Sequence, residues 1–100
     1  MGYSVLGFTY HSVAKEAAVL VSSLHEESYR ELVQYLIEIR RKAKITQIEL
    51  GTALGKPQSY VSKVETRERR IDLIEFTAWV RAVGTEPHIA YAHVLERIEK

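Results

Sequence analysis

One hundred residues, 46% of them apolar, suffice for one domain around a single small core. The absence of cysteine excludes disulfides, thiolate nucleophiles and Cys-based zinc sites, and fits a reducing cytoplasm. The formal net charge of +1 hides a polarised molecule: residues 40–70 hold nine Lys/Arg against three acids, a local net of +6, and the rest of the chain carries −5.

Residues 1–10 lack the basic end and long apolar run of a signal peptide. The longest apolar-leaning run, Ala17 to Val21, falls short of the roughly 20 residues a membrane span needs, so a soluble, cytoplasmic (nucleoid-associated) protein with no membrane partner is expected. Leu6, Phe8 and Tyr10 alternate with Val5, Gly7 and Thr9, the pattern of a short strand or an extended arm. Val13, Ala17, Leu20, Val21 and Leu24 then fall at helical spacing, predicting an amphipathic helix from Ser12, its candidate cap, to about Leu24.

A second helix is predicted from about Ser28 to Ala43. Its apolar stripe is Tyr29, Leu32, Leu36, Ile39 and Ala43, widened by Val33 and Ile37, and Ser28 with Glu31 gives a capping-box pattern at its start. Arg40-Arg41-Lys42-Ala43-Lys44 places cations where the helix dipole is negative, either as a solvated helix end or as phosphate contacts. Thr46 and Glu49 repeat the capping box and open a third helix, about Gln47 to Leu54, with Ile45, Leu50, Ala53 and Leu54 turned inward. Gly55 ends it, and Pro57 suits the first turn of a fourth helix, about Gln58 to Glu65, in which Val61 and Val64 face the core. Gln58, Ser59, Ser62 and Lys63 are left facing outward, while Tyr60 either lies flat against the domain or reaches a phosphate.

Arg67 to Ile71 forms a basic connector. Asp72 and Glu75 cap a fifth helix to about Val83, with Leu73, Phe76, Val80 and Val83 buried and Trp79 in the core or an interface. Gly84 ends it and Pro87 opens the last helix, to about Ile98. The Ile89, Ala92, Val94, Leu95 and Ile98 set of that helix is too large an apolar side to leave wet on a monomer.

Two short helices joined by a glycine turn, the second opening with small polar side chains, suit the presentation of a helix to the major groove of DNA. Enzyme chemistry finds no support. Asp72 is the sole aspartate and is spoken for as a cap, the four histidines are scattered, and His88 and His93 fall on different faces of one helix, so no catalytic residue, metal site or cofactor is expected.

From Tyr29 to about Pro87 the chain resembles the Xre-type, lambda-repressor-like helix-turn-helix family. The resemblance is carried by Thr46-Gln47, Leu50, Ala53-Leu54-Gly55, the run Gln58 to Glu65, and Glu68-Arg69-Arg70-Ile71-Asp72. It implies an all-α, five-helix domain over residues 28–100, with residues 1–27 as an additional arm and helix. It also implies that Gln58, Ser59, Ser62 and Lys63 address base edges, and that Thr46, Gln47, Tyr60, Arg67, Arg69 and Arg70 touch the DNA backbone, with Gln47 also bracing Gln58. Two positions depart from the family pattern. Gly51 stands where alanine is usual, at about 1 kcal/mol in helix propensity, and Arg67 stands where glycine usually follows the recognition helix.

The implied function is a transcriptional regulator on double-stranded DNA. Because one recognition helix reads too few base pairs, a homodimer repressing from a palindromic operator is expected, paired through the last helix and the N-terminal segment. An antitoxin that binds its toxin through residues 1–27 and represses its own operon is the alternative reading. A protein-interaction module without DNA binding is the third, and the +6 stretch opposes it.

Overall fold

The computed structural model describes residues 14–100, with side chains from His25 onward, and the two short segments Ser4–Val5 and Phe8–Thr9. Strands β1 (Ser4–Val5) and β2 (Phe8–Thr9) are followed by α1 (Ala14–Lys42), α2 (Gln47–Leu54), α3 (Gln58–Glu65), α4 (Leu73–Ala82) and α5 (Pro87–Ile98). The strands pair antiparallel, Ser4 opposite Thr9 and Val5 opposite Phe8, so the alternating segment makes a minimal hairpin. The expected cap at Ser12 lies outside the described residues.

One helix of 29 residues replaces the two expected before residue 43. His25-Glu26-Glu27 contains neither glycine nor proline, so nothing local interrupts the hydrogen-bond ladder. Ser28 and Glu31 have the spacing of a capping box, but at mid-helix there are no orphan N–H groups to cap. No backbone break marks the division expected between residues 27 and 28. The helix stops where Lys44 turns left-handed (φ 60°), with Lys44 N–H donating to the Arg41 carbonyl at 2.9 Å.

The other capping boxes form as atoms. Thr46 Oγ1 accepts from the Glu49 N–H at 3.0 Å and Glu49 Oε1 from the Thr46 N–H at 2.8 Å. Asp72 and Glu75 repeat this at α4, at 2.8 and 3.0 Å. The Thr46 N–H, with the Thr46 side chain second, holds the Glu49 carboxyl below its ordinary range. At Glu75 the Arg69 guanidinium is the larger cause and the Asp72 N–H the second.

Gly55 ends α2 in the left-handed conformation (φ 67°), its N–H shared between the Gly51 and Thr52 carbonyls. Gly51 has a reason of its own. A Cβ there would sit 2.8 Å from the Lys56 carbonyl oxygen and 3.3 Å from Pro57 backbone atoms, so the α2–α3 turn runs directly over the glycine. The turn lies too close for the alanine usual in the family.

Leu36, Leu50, Val61, Val64, Trp79 and Val80 are fully buried and join all four α1–α4 helices in one core, which Ala90 and Val94 extend into α5. Several expectations about facing are corrected. Leu73 is 69% exposed, because α4 turns Phe76, Trp79, Val80 and the following Val83 inward and leaves its first residue outside that stripe. Ala53 is exposed and Gly51 buried, since α2 buries the i, i+1, i+4 set Leu50, Gly51 and Leu54. Ala43 lies beyond the end of α1 and is exposed. On α5 the buried pair is Ala90 and Val94, while Ile89, Ala92 and Ile98 stay exposed. Tyr35, unremarked in the apolar stripe, is buried where α1 meets α5. Its hydroxyl lies 3.3 Å from His93 Nδ1, and the neighbouring Arg97 pairs with Glu38.

Arg40 is no solvated helix end. It is 7% exposed and binds Glu65 through two bonds, Nε to Oε2 at 2.6 Å and NH2 to Oε1 at 2.9 Å, while NH1 donates to the Ile45 carbonyl at 2.9 Å. Removing one member of such a pair strands a charge in the interior. Arg40→Ala is therefore expected to cost about 3–5 kcal/mol in urea denaturation. A double Arg40→Met, Glu65→Leu variant is expected to recover much of that loss, since a matched apolar pair has no stranded charge.

Candidate nucleic-acid interface

The site is assembled on α2, the turn, α3 and the loop before α4. Glu65, at the last position of α3, is its buried anchor. Glu65 can only accept, so Gln47 at the start of α2 turns its Nε2 to Glu65 Oε1 at 2.9 Å, and its Oε1 is left to accept from Gln58 Nε2 at 2.9 Å. A chain of bonds thus runs from Arg40 in the interior to Gln58 on the surface. Gln58 keeps one N–H and its carbonyl oxygen free.

Gln58, Ser59 and Lys63 are exposed and Ser62 is half-buried, opposite the buried Val61 and Val64 of the same helix. These four side chains therefore share one outward face. The first amides of α3 have no side-chain cap, because Pro57 occupies the cap position. Thr46 uses its oxygen in the α2 cap and stands exposed at the start of that helix.

The backbone candidates divide into two groups. Tyr60 is half-buried between the Lys56 ammonium, 5.6 Å from the ring centre, and the Arg69 guanidinium at 4.7 Å, so it lies flat against the domain. Burial, with the Glu75 charge second, pushes its phenol up from the usual value. Arg69 is committed to Glu75, with NH2 2.8 Å from Oε2 and NH1 3.1 Å from Oε1. Arg70 stacks on Tyr29 at 3.9 Å and reaches His25 Nε2 at 3.0 Å. The Tyr29 hydroxyl accepts from the Ile71 N–H at 3.1 Å.

Arg67 behaves differently. It takes the left-handed conformation (φ 65°) directly, so the turn follows the path a glycine would give it. Its side chain is exposed, and among the described residues Arg41, Lys42, Lys44, Lys63 and Arg67 have no carboxylate partner within ion-pair distance. Of the nine cations counted in residues 40–70, Arg40 is thus neutralised in the interior and Arg69 by Glu75 at the surface. Arg40 and Glu65 form a pair 25 residues apart, and no local pattern in the sequence announces it.

Among the described residues no three His, Asp or Glu side chains converge as a metal site, and no helix is long and apolar enough to cross a membrane. The paired helices α2 and α3, with a polar outer face bordered by cations, define a helix-turn-helix protein of the DNA-binding class. A family model described as helix-turn-helix matches residues 36–89. A solved XRE-family like protein from Pseudomonas syringae pv. tomato str. DC3000 is 41% identical with a TM-score of 0.75, the similarity covering 78% of this chain and 95% of that one. No curated protein matches. The chain belongs to the Xre-type helix-turn-helix family and has its lambda-repressor-like fold.

The left-handed Arg67 gives a test in which stability and binding move apart. A non-glycine residue there costs about 1–2 kcal/mol, and glycine returns about 0.4–1 kcal/mol of that as unfolded-state entropy. Arg67→Gly is therefore expected to raise stability by roughly 0.5–1 kcal/mol in thermal unfolding. Its affinity for any duplex is expected to fall, with a salt slope shallower by about one.

Proposed function

We propose that this protein is a sequence-specific transcriptional regulator of double-stranded DNA, a repressor that acts as a homodimer on a palindromic operator at the nucleoid. The observation that carries this reading is the braced Gln58. Its spare N–H and carbonyl oxygen match N7 and N6 of adenine, and the Gln47–Glu65–Arg40 chain removes the rotamer freedom that binding would otherwise cost. Ser59, Ser62 and Lys63 complete the base-reading face, with Lys63 suited to the O6 and N7 acceptors of guanine.

Phosphate contacts come from Thr46, from the backbone and spare amide hydrogen of Gln47, and from Arg67. The unpaired cations Arg41, Lys42 and Lys44 flank the start of α2 and extend that set. Tyr60, Arg69 and Arg70 belong to the same surface but act by fixing the loop that carries Arg67. Phosphate contacts set register, whereas base contacts choose sequence. A dimer places two α3 helices about 34 Å apart, one turn of the duplex. Blocking a promoter then requires occupancy alone.

Residues 1–27 carry the alternative reading, an antitoxin whose extension binds a toxin. The family match begins only at residue 36, so that extension lies outside it. Co-purification of a second chain of different sequence from the native host would favour it.

Selection of bound duplexes from a random pool is expected to return a two-fold symmetric site. Gln58→Ala and Lys63→Ala are each expected to lose about 1–3 kcal/mol on that site with little change on random duplex. Equal losses on both duplexes would remove Gln58 and Lys63 from the reading face.

A further inference from the structure

Where α1, the start of α4 and α5 meet lies an open apolar groove of about 310 Å³. Leu32, Leu73 and Val94 line it together with three aromatic rings, those of Tyr29, Phe76 and Tyr91. Tyr29 and Phe76 are buried, so two of the rings are fixed walls, whereas Tyr91 is 54% exposed. Sites for small organic molecules share this character, a mostly apolar hollow with a few polar groups to orient the ligand. The base-reading helix α3 contributes nothing to the lining, so the groove belongs to a different surface from the polar face of Gln58 and Lys63.

Arg70 stands at the edge of this groove, in contact with two of its lining residues. Its guanidinium stacks on the Tyr29 ring at 3.9 Å and lies 3.0 Å from His25 Nε2. Arginine can only donate, so His25 Nε2 accepts and the ring hydrogen sits on Nδ1. Among the described residues no carboxylate lies within ion-pair distance of Arg70, and its other N–H groups have no protein acceptor. Asp72 is the one acid in the lining. Its Oδ1 accepts the Glu75 N–H in the α4 cap, where the positive start of that helix offsets its charge. An unneutralised cation thus borders an apolar hollow.

We infer that this groove is a binding site for an aromatic monocarboxylic acid, with its ring among Tyr29, Phe76 and Tyr91 and its carboxylate on Arg70. Charge selects the occupant. A carboxylate fits the planar guanidinium through two parallel hydrogen bonds, and a guanidinium already seated on an aromatic face is pre-organised to make them. A phosphate ester brings close to two negative charges to a single cation with Asp72 beside it, a poorer match. A hydrocarbon without a charged group fills the hollow but leaves Arg70 without a counter-charge.

The three rings select an aromatic body over an aliphatic one, since flat groups pack against them offset-stacked or edge to face. A second copy of the chain is the competing occupant. It supplies apolar side chains for the hollow, yet it gives no account of the lone charge at its edge. The acid and the DNA face do not compete for residues, because none of Gln58, Ser59, Ser62 and Lys63 lines the groove.

The test is calorimetric titration of the full chain, without DNA, with naphthoate and with the uncharged naphthylmethanol of similar shape. Naphthoate is expected to saturate at one per chain with a Kd below about 1 mM, and the alcohol to bind at least about tenfold more weakly. Arg70→Gln is expected to bring naphthoate down to the level of the alcohol and to leave the alcohol unchanged. Leu73→Glu sets a carboxylate at the groove from an exposed position, compatible with an unchanged circular dichroism spectrum, and is expected to abolish naphthoate binding. Arg81→Gln, at an exposed α4 position outside the lining, is expected to change neither. Equal affinity for acid and alcohol overturns the inference, and so does a folded Arg70→Gln that binds naphthoate like the wild type. Absence of binding by either compound overturns it too. If Leu73→Glu then also halves the mass in sedimentation, the groove belongs to a second copy. Should Arg70→Gln fail to fold, the acid-to-alcohol ratio and Leu73→Glu decide alone.

Discussion

The ion pair between Arg40 and Glu65 is the constraint on which the DNA-facing surface depends. Three helices converge on it: α1 supplies Arg40, α3 supplies Glu65, and α2 attaches through Gln47. Both members are nearly out of water, with side-chain exposures of 9% and 6%, where charge is tolerated only if fully partnered. Arg40 therefore also takes the Ile45 carbonyl just before the α2 cap, and Glu65 takes a second donor from Gln47. Such a pair adds little net stability against an apolar replacement. What it supplies is direction, since a carboxylate that must accept and a guanidinium that must donate admit few arrangements of the helices around them.

The same sorting governs the loop that follows α3. A residue in the left-handed conformation at Arg67 is strained, and strain persists only where neighbouring contacts hold it. Those contacts are visible. Arg69 lies on Tyr60 and pairs with Glu75, which also caps α4, and Arg70 lies on Tyr29, whose hydroxyl takes the Ile71 N–H. The basic connector thus divides its charge between anchoring the loop and presenting Arg67 to solvent.

Much of this was legible in the sequence. The helix ends at Thr46, Gly55, Asp72 and Pro87 follow from local chemistry that needs no tertiary partner, and so does the outward face of α3, set by Val61 and Val64. The failures share a cause. Ser28 with Glu31 has the same spacing as Thr46 with Glu49, but only the second pair stands at a chain reversal, and spacing alone carries no information about where the helix begins. Leu73 and Ala53 lie at the margins of their stripes, where a small rotation of the helix decides burial. Arg40, Arg69 and Arg70 were counted as surface charge because their partners Glu65, Glu75 and Tyr29 are brought to them by the fold. Gly51 read as a propensity cost, and the close passage of the Lys56 carbonyl that makes it necessary has no local signature.

The unbroken α1 also sets a distance. From Ala14 to Lys42 its axis spans roughly 42 Å, about twice the thickness of a duplex, and an unbroken helix does not fold back between its ends. The first turn of α1 therefore stands well clear of the cationic end that borders α2.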